Sequence, residues 1–320
     1  MRLLTIPFIV AALLAPSSFV GAQEAYPARP IKVIVPLAAG GGTDIVARTV
    51  VQSIADDWGA NIVVENRPGA GTTLGAQALL ASPADGYTLM FNTASFLSTP
   101  LLMPSKPYDR ATQFAPVSLV AASPHVLVVS EKVPAKNLAE LVAWLKSKDG
   151  KATYASFGNG SSGHLGTEIL LNRLGVKVVH VPYRGNAPAL TDVMAGHVDM
   201  MLADHVDGNI KASKPRPIAI ASEKRSEHLP NVPTVSEGGY QGYTSQSWYG
   251  LVGPAGTPQA VIDKWNAAVV AALKKPDVRQ KLIDQGIDPI GSSPAAFSKF
   301  METEDGKYAE AIKASNIKMQ

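Results

Sequence analysis

The stretch Ile31-Lys-Val-Ile-Val-Pro-Leu-Ala-Ala-Gly-Gly-Gly-Thr-Asp44 decides the fold class. Its first five residues are a short, β-branched apolar run of the kind that forms a buried strand. Three glycines follow, and either Gly42 or Thr43 can cap a helix. From Ile45 to Trp58 apolar residues recur at helical spacing. A strand that passes through a small-residue loop directly into a helix is the repeating unit of an α/β fold.

The same unit recurs along the chain and predicts parallel sheets. Further strands are predicted at residues 61–65, 87–91, 117–121, 126–129, 152–157, 176–181, 198–202, 218–221 and 247–252, and further helices at 72–81, 137–148, 164–174, 188–195, 258–274, 276–285 and 294–317. The pattern restarts after Pro116, which indicates two similar α/β halves. We expect residues 23–120 and 246–320 to form lobe 1 and residues 121–245 to form lobe 2. Two crossings between lobes make a hinge, and small molecules bind preferentially in such interdomain clefts.

Residues 1–22 have the layout of a secretory signal peptide. Arg2 is followed by an apolar run from Leu3 to Leu14, and Val20-Gly-Ala22 offers small residues for cleavage. The 12-residue apolar run is shorter than the roughly 20 residues that span a bilayer. The sequence contains no cysteine, so neither disulfides nor an N-terminal lipid anchor is expected. We therefore predict a soluble, monomeric periplasmic protein.

Composition argues against a nucleic-acid partner. The net charge is +3 and charged residues make up 17% of the chain, with lysine and arginine scattered singly along most of it. Nucleic-acid binding needs a concentrated basic face.

Three small-residue loops predict an anion site. They are residues 38–44, 69–73 and 158–163, and each opens a predicted helix. A helix N-terminus carries unpaired N–H groups and a partial positive charge, and glycine lets an anion approach them closely. In an α/β sheet such loops gather at the carboxyl ends of the strands. Asp204 follows a predicted strand and is expected to meet a cationic or hydroxyl group of the ligand, whereas Asp44 stabilises a helix start even without a ligand.

Two enzyme classes remain as alternatives. Gly158-x-Gly160-x-x-Gly163 matches the dinucleotide fingerprint, but the region about 20 residues on, Val181-Pro-Tyr-Arg184, lacks the expected acid. Arg184 suits a 2′-phosphate, yet NADP is not expected in an exported protein. A hydrolase is the second alternative, because Ser161 and Ser162 lie close to His164, although without the G-x-S-x-G spacing.

Metal binding is weakly indicated. None of the six histidines forms an H-x-x-x-H pair, and the densest donor cluster, Asp204-His205-x-Asp207, is too short to predict a site. We expect no metal, no cofactor and no catalytic residues.

The chain resembles the substrate-binding proteins of tripartite tricarboxylate transporters, also called the Bordetella uptake gene family. The resemblance runs from Tyr26 to about Lys313 and rests on many motifs in order. They are Pro36-Leu-Ala-Ala-Gly-Gly-Gly-Thr-Asp44 with Ala47-Arg48, Val64-Glu-Asn-Arg-Pro-Gly-Ala-Gly71, Asp85-Gly-Tyr-Thr-Leu89, Ser161-Ser-Gly-His164 with Glu168, Val181-Pro-Tyr-Arg-Gly185 with Ala187-Pro188, Asp192, Gly196-His-Val-Asp199, Leu229-Pro-Asn-Val-Pro-Thr-Val235, and Trp248-Tyr249 with Pro254-Ala-Gly-Thr-Pro258.

The resemblance implies a two-lobed, hinged α/β fold, the type II or Venus flytrap form of periplasmic binding proteins, that closes on a small carboxylate. The ligand would be a di- or tricarboxylate, an amino acid or an aromatic acid, delivered to the membrane subunits of a tripartite tricarboxylate transporter. Presentation of the ligand to a membrane sensor is the alternative. The implied ligand-binding residues are Leu37, Ala39, Gly40, Gly41, Thr43, Asp44, Gly71, Thr72, Thr73, Thr93, Gly158, Asn159, Ser161, Ser162, His164, Arg184, Gly185, Ala187 and Asp204.

Two departures from the family pattern bear on specificity. The family often carries an aromatic residue after the first proline, where this chain has Leu37. The segment from Ala203 to Lys211 is shorter than expected.

Overall fold

Two β-sheets form the framework of the molecule. The computed structural model describes residues 26–204 and 208–317. The predicted signal peptide at residues 1–22 lies outside these residues, as do His205 and Asp207.

The first sheet has six strands. They are β1 (Ile31–Val35), β2 (Ile62–Asn66), β3 (Thr88–Asn92), β4 (Phe114–Pro124), β10 (Gln246–Pro254) and β11 (Asp288–Pro289), in the order β11-β4-β10-β3-β1-β2. β1 pairs in parallel with β2 and β3, whereas β10 runs antiparallel to β3 and β4. The predicted return of the chain to the first sheet through β10 is therefore confirmed.

The second sheet has five strands. They are β5 (Val126–Val129), β6 (Thr153–Ser156), β7 (Val179–Pro182), β8 (Met200–Ala203) and β9 (Arg216–Ile220), in the order β7-β6-β8-β5-β9. β6 is parallel to β7 and β8, and β5 is antiparallel to β8 and β9.

Helices cover both sheets. They are α1 (Gly42–Trp58), α2 (Thr73–Leu80), α3 (Ala94–Leu102), α4 (Arg110–Gln113), α5 (Leu138–Ser147), α6 (Ser162–Leu174), α7 (Asn186–Ala195), α8 (Gly208–Lys211), α9 (Gln259–Lys274), α10 (Pro276–Asp284) and α11 (Pro294–Ala314), with a 3₁₀ turn at Ala70–Thr72. In the described part of the chain, no helix is both long enough and apolar enough to cross a bilayer.

Each sheet is buried on both faces, which explains the apolar strand sequences. In β1, Val33 and Val35 point into one cluster with the apolar stripe of α1, while Ile34 points into the opposite cluster. In β5, Leu127 and Val129 lie on one face and Val126 and Val128 on the other. This alternation is the period-two arrangement of side chains on a strand.

The sheets are joined where three chain segments meet. β4 continues through Pro124 and His125 into β5, so the chain crosses between the sheets there. The backbone N–H of His125 donates to Ser245 O at 3.0 Å, Ala221 N–H donates to His125 O at 2.9 Å, and Ser245 N–H donates to Ala221 O at 2.9 Å. These three bonds tie the crossing segments together.

Several predicted boundaries differ from the structure for physical reasons. β4 is longer than predicted because it pairs with β10 over nine residue positions. α3 was not predicted because it contains Pro100. Gly41, rather than Gly42 or Thr43, is the N-cap of α1.

Candidate functional site

A cleft of about 720 Å³ opens between loops of the two sheets. The first sheet contributes the β1–α1 loop, the start of α3 and two residues of β10. The second sheet contributes the β6–α6 loop, the β7–α7 loop and the residue after β8. The lining residues are Leu37–Thr43, Ile45, Thr93–Ser95, Phe157, Gly158, Ser161, Ser162, Tyr183–Pro188, Asp204, Ser247, Tyr249 and Gln285.

Most of the sequence-predicted site residues border this cleft. They are Leu37, Ala39, Gly40, Gly41, Thr43, Thr93, Gly158, Ser161, Ser162, Arg184, Gly185, Ala187 and Asp204. The remaining predicted residues do not line it: Asp44, Gly71, Thr72, Thr73, Asn159 and His164. A ligand role for any of these residues stays a prediction.

Asp44 supports the β1–α1 loop from behind. Its Oδ2 accepts from Gly40 N–H at 2.9 Å, and both oxygens lie 3.0 Å from Arg48 Nε. Asn66 Nδ2 donates to Asp44 Oδ1 at 2.9 Å and also to Leu37 O at 3.1 Å. Burial alone would raise the pKa of Asp44, but these hydrogen bonds outweigh it and hold the pKa below 3.8. Asp44 therefore stays ionised and fixes the loop in shape.

The loop around Gly71 turns toward α3 instead of the cleft. Ala70, Gly71 and Thr72 all have positive φ, at 46°, 60° and 80°. Gly71 O accepts from Thr99 Oγ1 at 2.6 Å, and the buried Thr72 hydroxyl lies 3.5 Å from the Tyr108 hydroxyl. Of the three predicted anion loops, only the first and third therefore face each other across the cleft.

The start of α6 presents two serines with different tasks. Ser161 is the N-cap, and its Oγ accepts from His164 N–H at 3.3 Å and donates to Gly158 O at 2.7 Å. Ser162 is the first helical residue, and its hydroxyl reaches the cleft wall. The cap satisfies one orphan donor of α6 and leaves other first-turn N–H groups for a ligand.

A triangle of hydrogen-bonding groups lies where the sheets meet. Ser162 Oγ is 3.3 Å from His125 Nε2 and 3.2 Å from Ser247 Oγ, and His125 Nε2 is 3.2 Å from Ser247 Oγ. The other ring nitrogen, Nδ1, lies 2.8 Å from Ser245 Oγ. The triangle links α6 to both crossing segments.

This arrangement does not favour the hydrolase alternative. Ser162 and His125 have the contact of a nucleophile and a base, but Nδ1 of His125 faces a hydroxyl rather than a carboxylate. Burial lowers the pKa of His125 from 6.5 to about 4, opposed in part by Asp204. A pKa that low makes the imidazole a weak general base at neutral pH.

His164 points into the second lobe's core. Its Nδ1 accepts from Gly160 N–H at 3.1 Å, and its ring stacks on His180 with centroids 3.9 Å apart. Tyr154 also stacks on His180, with centroids 4.8 Å apart, and lies 6.4 Å from the His164 ring. The His164 ring therefore holds the backbone of the β6–α6 loop in place through Gly160, and it does not line the cleft.

Opposite charges line the second-lobe side of the cleft. Arg184 is exposed in the β7–α7 loop and forms no ion pair within residues 26–204 and 208–317. Asp204 is partly buried, and its backbone N–H donates to Asn186 Oδ1 at 3.0 Å. The cleft can thus interact with both a negative and a proton-donating group of one ligand.

Sequence reasoning missed several polar or aromatic side chains that line the cleft, and one directly behind it: Ser95, Phe157, Tyr183, Ser247, Tyr249 and Gln285, with His125 behind them. Tyr249 and Ser247 come from β10, far along the chain from the loops that they face. The predicted strand at residues 247–252 placed them in the first sheet, but only its pairing with β3 and β4 directs them toward the cleft. Among the described residues, no group of three His, Asp or Glu side chains is arranged to hold a metal ion.

Residues 46–317 match the sequence profile of the tripartite tricarboxylate transporter family receptor. The chain is similar to three solved structures over most of their length. A protein of R. palustris solved with adipate is 31% identical, with a TM-score of 0.83, over 92% of this chain and 99% of that one. The periplasmic binding protein BugD is 33% identical, with a TM-score of 0.80, over 92% and 100%. MatC from Rhodopseudomonas palustris, solved with malate, is 32% identical, with a TM-score of 0.80, over 90% and 100%. The predicted two-lobed binding-protein fold is therefore confirmed.

Proposed function

This chain belongs to the tripartite tricarboxylate transporter receptor family and is a periplasmic solute-binding protein, and we propose that it captures a small carboxylate for the membrane subunits of such a transporter. The observation that carries the proposal is that, among the residues that the structure describes, the N-termini of α1 and α6 and the guanidinium of Arg184 converge on a single cleft. Two relatives solved with the dicarboxylates adipate and malate support the ligand class.

The first helix offers uncapped donors. Gly41, the N-cap of α1, gives no side-chain cap, and the first intrahelical bond runs from Ile45 N–H to Gly41 O. The N–H groups of Gly42, Thr43 and Asp44 are therefore orphan donors at the positive end of a 17-residue helix. A carboxylate oxygen fits this site without a neighbouring cationic side chain.

The facing helix and Arg184 supply the other contacts. The start of α6 brings the hydroxyl of Ser162 and further orphan N–H groups to the opposite wall. Arg184 provides positive charge at the mouth, where it would attract anions from solution. A ligand with two acidic ends would span the cleft between these groups.

Lobe closure completes the proposal. The first lobe would comprise residues 26–124 and 246–317, because β4 stays in the first sheet to Pro124 and does not leave it near residue 120 as predicted. The second lobe would comprise residues 125–204 and 208–245, hinged at the crossing segments. A ligand shifts the equilibrium toward the closed form only through contacts that exist in that form. The cleft meets this requirement, because its lining residues come from both sheets and a ligand can contact both sets at once only when the lobes are closed.

A thermal-shift screen tests the ligand class. The mature protein is unfolded and refolded to remove carried ligand, then heated with malate, adipate, citrate, aspartate, benzoate or glucose. A ligand at 100 times its Kd adds about 2.7 kcal/mol of stability. We expect one subset of the carboxylates to raise the Tm and glucose to have no effect. A refolded protein that responds to no carboxylate would overturn the proposed ligand class.

Transport is tested in cells. Uptake of the labelled carboxylate is compared between a strain that expresses the chain and one that lacks it. Loss of uptake is expected on deletion, with recovery on complementation. Unchanged uptake would remove the transporter from the proposal while leaving ligand binding intact.

A further inference from the structure

Tyr249 is buried, yet its hydroxyl lacks a hydrogen-bond partner. The side chain is 2% exposed and the ring packs in the core of the first sheet with α1. The hydroxyl has no partner in the part of the chain that the structure describes. Buried hydroxyls are nearly always satisfied, so a native protein that leaves one unpaired keeps it for a reason.

β4 bulges opposite this residue: Tyr249 pairs with Ala121 and Gly250 with Leu119, so Val120 is an extra residue on β4. The pairing of β10 with β4 shifts register between Tyr249 and Gly250. Such bulges re-aim a side chain and are common beside binding sites. Tyr249 lines the cleft together with Gly42, the first residue of α1.

The hydroxyl of Tyr249 lies directly against Gly42. A Cβ built on Gly42 would lie 2.5 Å from the Tyr249 hydroxyl oxygen, 3.2 Å from Cζ and 3.4 Å from Cε1. Gly42 is the first residue of α1. The unpaired hydroxyl therefore stands beside the orphan N–H groups of that helix, and the missing side chain of Gly42 leaves it room.

We propose that the Tyr249 hydroxyl is a ligand-binding group that donates to one carboxylate oxygen of the solute, beside the N–H groups that open α1. This inference rests on the proposed function, since it assigns a subsite within the same cleft. The subsite takes an anionic oxygen, because it combines the phenol hydroxyl of Tyr249 with the orphan N–H groups that open α1. A neutral sugar hydroxyl would leave at least one of these donors poorly paired.

Electrostatics keep the hydroxyl in its donor form. Burial raises the pKa of Tyr249 well above 10, and the nearby carboxylate of Asp204 raises it further. The phenol is therefore protonated at neutral pH. Asp204 would repel a carboxylate on its own side of the hydroxyl, so the bound carboxylate lies on the side of α1.

The test is Tyr249→Phe, which removes only the hydroxyl. Loss of a hydrogen bond to a charged ligand is expected to weaken binding about 10- to 100-fold. The ligand-free variant should have an unchanged or higher Tm, because an unsatisfied buried hydroxyl is gone. Isothermal titration with the carboxylate found for the wild type, and thermal unfolding without it, measure the two effects.

Tyr308→Phe is the matched control. Tyr308 is also buried, at 3% exposure, but its hydroxyl accepts from Trp248 Nε1 at 3.2 Å. We expect this variant to lose stability and keep its affinity, the reverse of Tyr249→Phe. Wild-type affinity in Tyr249→Phe would overturn the assignment alone. A wild-type protein that binds no carboxylate would overturn the proposed function, and this subsite with it.

A double-mutant cycle with Gly42→Ala gives a second test. In the wild-type background the added methyl group collides with the hydroxyl and should weaken binding strongly. In Tyr249→Phe the nearest remaining ring atom is 3.2 Å from that methyl group, so the same change should weaken binding less. Fully additive effects would contradict the placement of the hydroxyl in the subsite.

Discussion

Lowering the pH from 7 to 4.5 is expected to destabilise the protein, because two buried imidazoles and one half-buried imidazole are neutral in the folded state. Burial lowers the pKa of His125 to about 4, with Asp204 opposing, and burial likewise lowers that of His164 to about 4. Burial and His164 lower the pKa of His180 to about 4, with Glu168 opposing. The unfolded chain takes up these protons near pH 6.5. Stability is therefore full above pH 6.5 and is lost as the pH falls toward 4.

The magnitude follows from proton linkage. When folding lowers the pKa of a buried imidazole from 6.5 to about 4, the folded state loses about 2 kcal/mol of stability between pH 7 and pH 4.5. This applies to His125 and His164, and the loss is smaller for His180 because solvent screens it in part. Together the three groups approach the stability of an ordinary domain, about 5–15 kcal/mol. Urea unfolding followed by circular dichroism, at half-unit steps of pH, measures the free energy of unfolding across this window.

Variants identify the cause. His180→Gln removes the half-buried imidazole and should reduce the acid-induced loss by less than the roughly 2 kcal/mol of a fully buried one, because solvent screens it in part. His197→Gln changes a side chain that is 69% exposed and should leave the pH profile close to that of the wild type. A wild-type stability that is flat from pH 6.5 to 4.5 would refute the reasoning, and so would an unchanged profile in His180→Gln.

Three further substitutions test the cleft. The Asp44→Asn variant should have a free energy of unfolding in urea about 1–3 kcal/mol lower than the wild type, because Gly40 N–H and Arg48 lose a charged acceptor. It should also bind the carboxylate more weakly. Wild-type affinity in this variant would mean that the shape of the β1–α1 loop does not control binding. The Ser162→Ala variant should bind the carboxylate about tenfold or more weakly in titration. Its stability should change little, because His125 and Ser247 still pair. The control is Asn137→Ala, which removes the N-cap of the remote helix α5 and should lower stability by about 1 kcal/mol without changing affinity. Arg184→Gln should slow association at low salt and flatten its salt dependence in stopped-flow measurements; an unchanged salt dependence would exclude steering by this residue.

The strand–loop–helix units were predictable because their signals are local. The apolar run of β1 and the stripe of α1 lie within one short stretch, and the strand predicted at residues 126–129 is confirmed as β5. β4 extends beyond its prediction because β10, more than 100 residues later, supplies its partner. α3 forms despite Pro100 because its apolar residues Phe96 and Leu97 are fully buried. Tertiary contacts of this kind leave no mark within the segment itself.

The candidate site also has features that the sequence predicts and features that it does not. Glycines and serines in the sequence locate the loops at the carboxyl ends of the strands, but they do not predict which way each side chain points. His164 turns inward onto His180 because a stacked partner exists there. Tyr249 lines the cleft beside Gly42, whose missing side chain leaves room for the hydroxyl. Neither the contact of His164 with His180 nor that of Tyr249 with Gly42 can be predicted from the sequence alone.

The two walls of the cleft differ in charge, and this difference suggests an order of events in capture. Within the described residues, the first-sheet wall offers N–H and hydroxyl donors but no ionised side chain, whereas the second-sheet wall carries Arg184 and Asp204. Charge acts over about 8–10 Å in physiological salt, but a hydrogen bond requires contact near 3 Å. The second lobe would therefore attract and orient the anion while the cleft is open, and the first lobe would bind it only on closure. Since contacts made only in the closed form drive closure, the loss of Tyr249 or α1 donors should mainly speed dissociation, and the loss of Arg184 should mainly slow association.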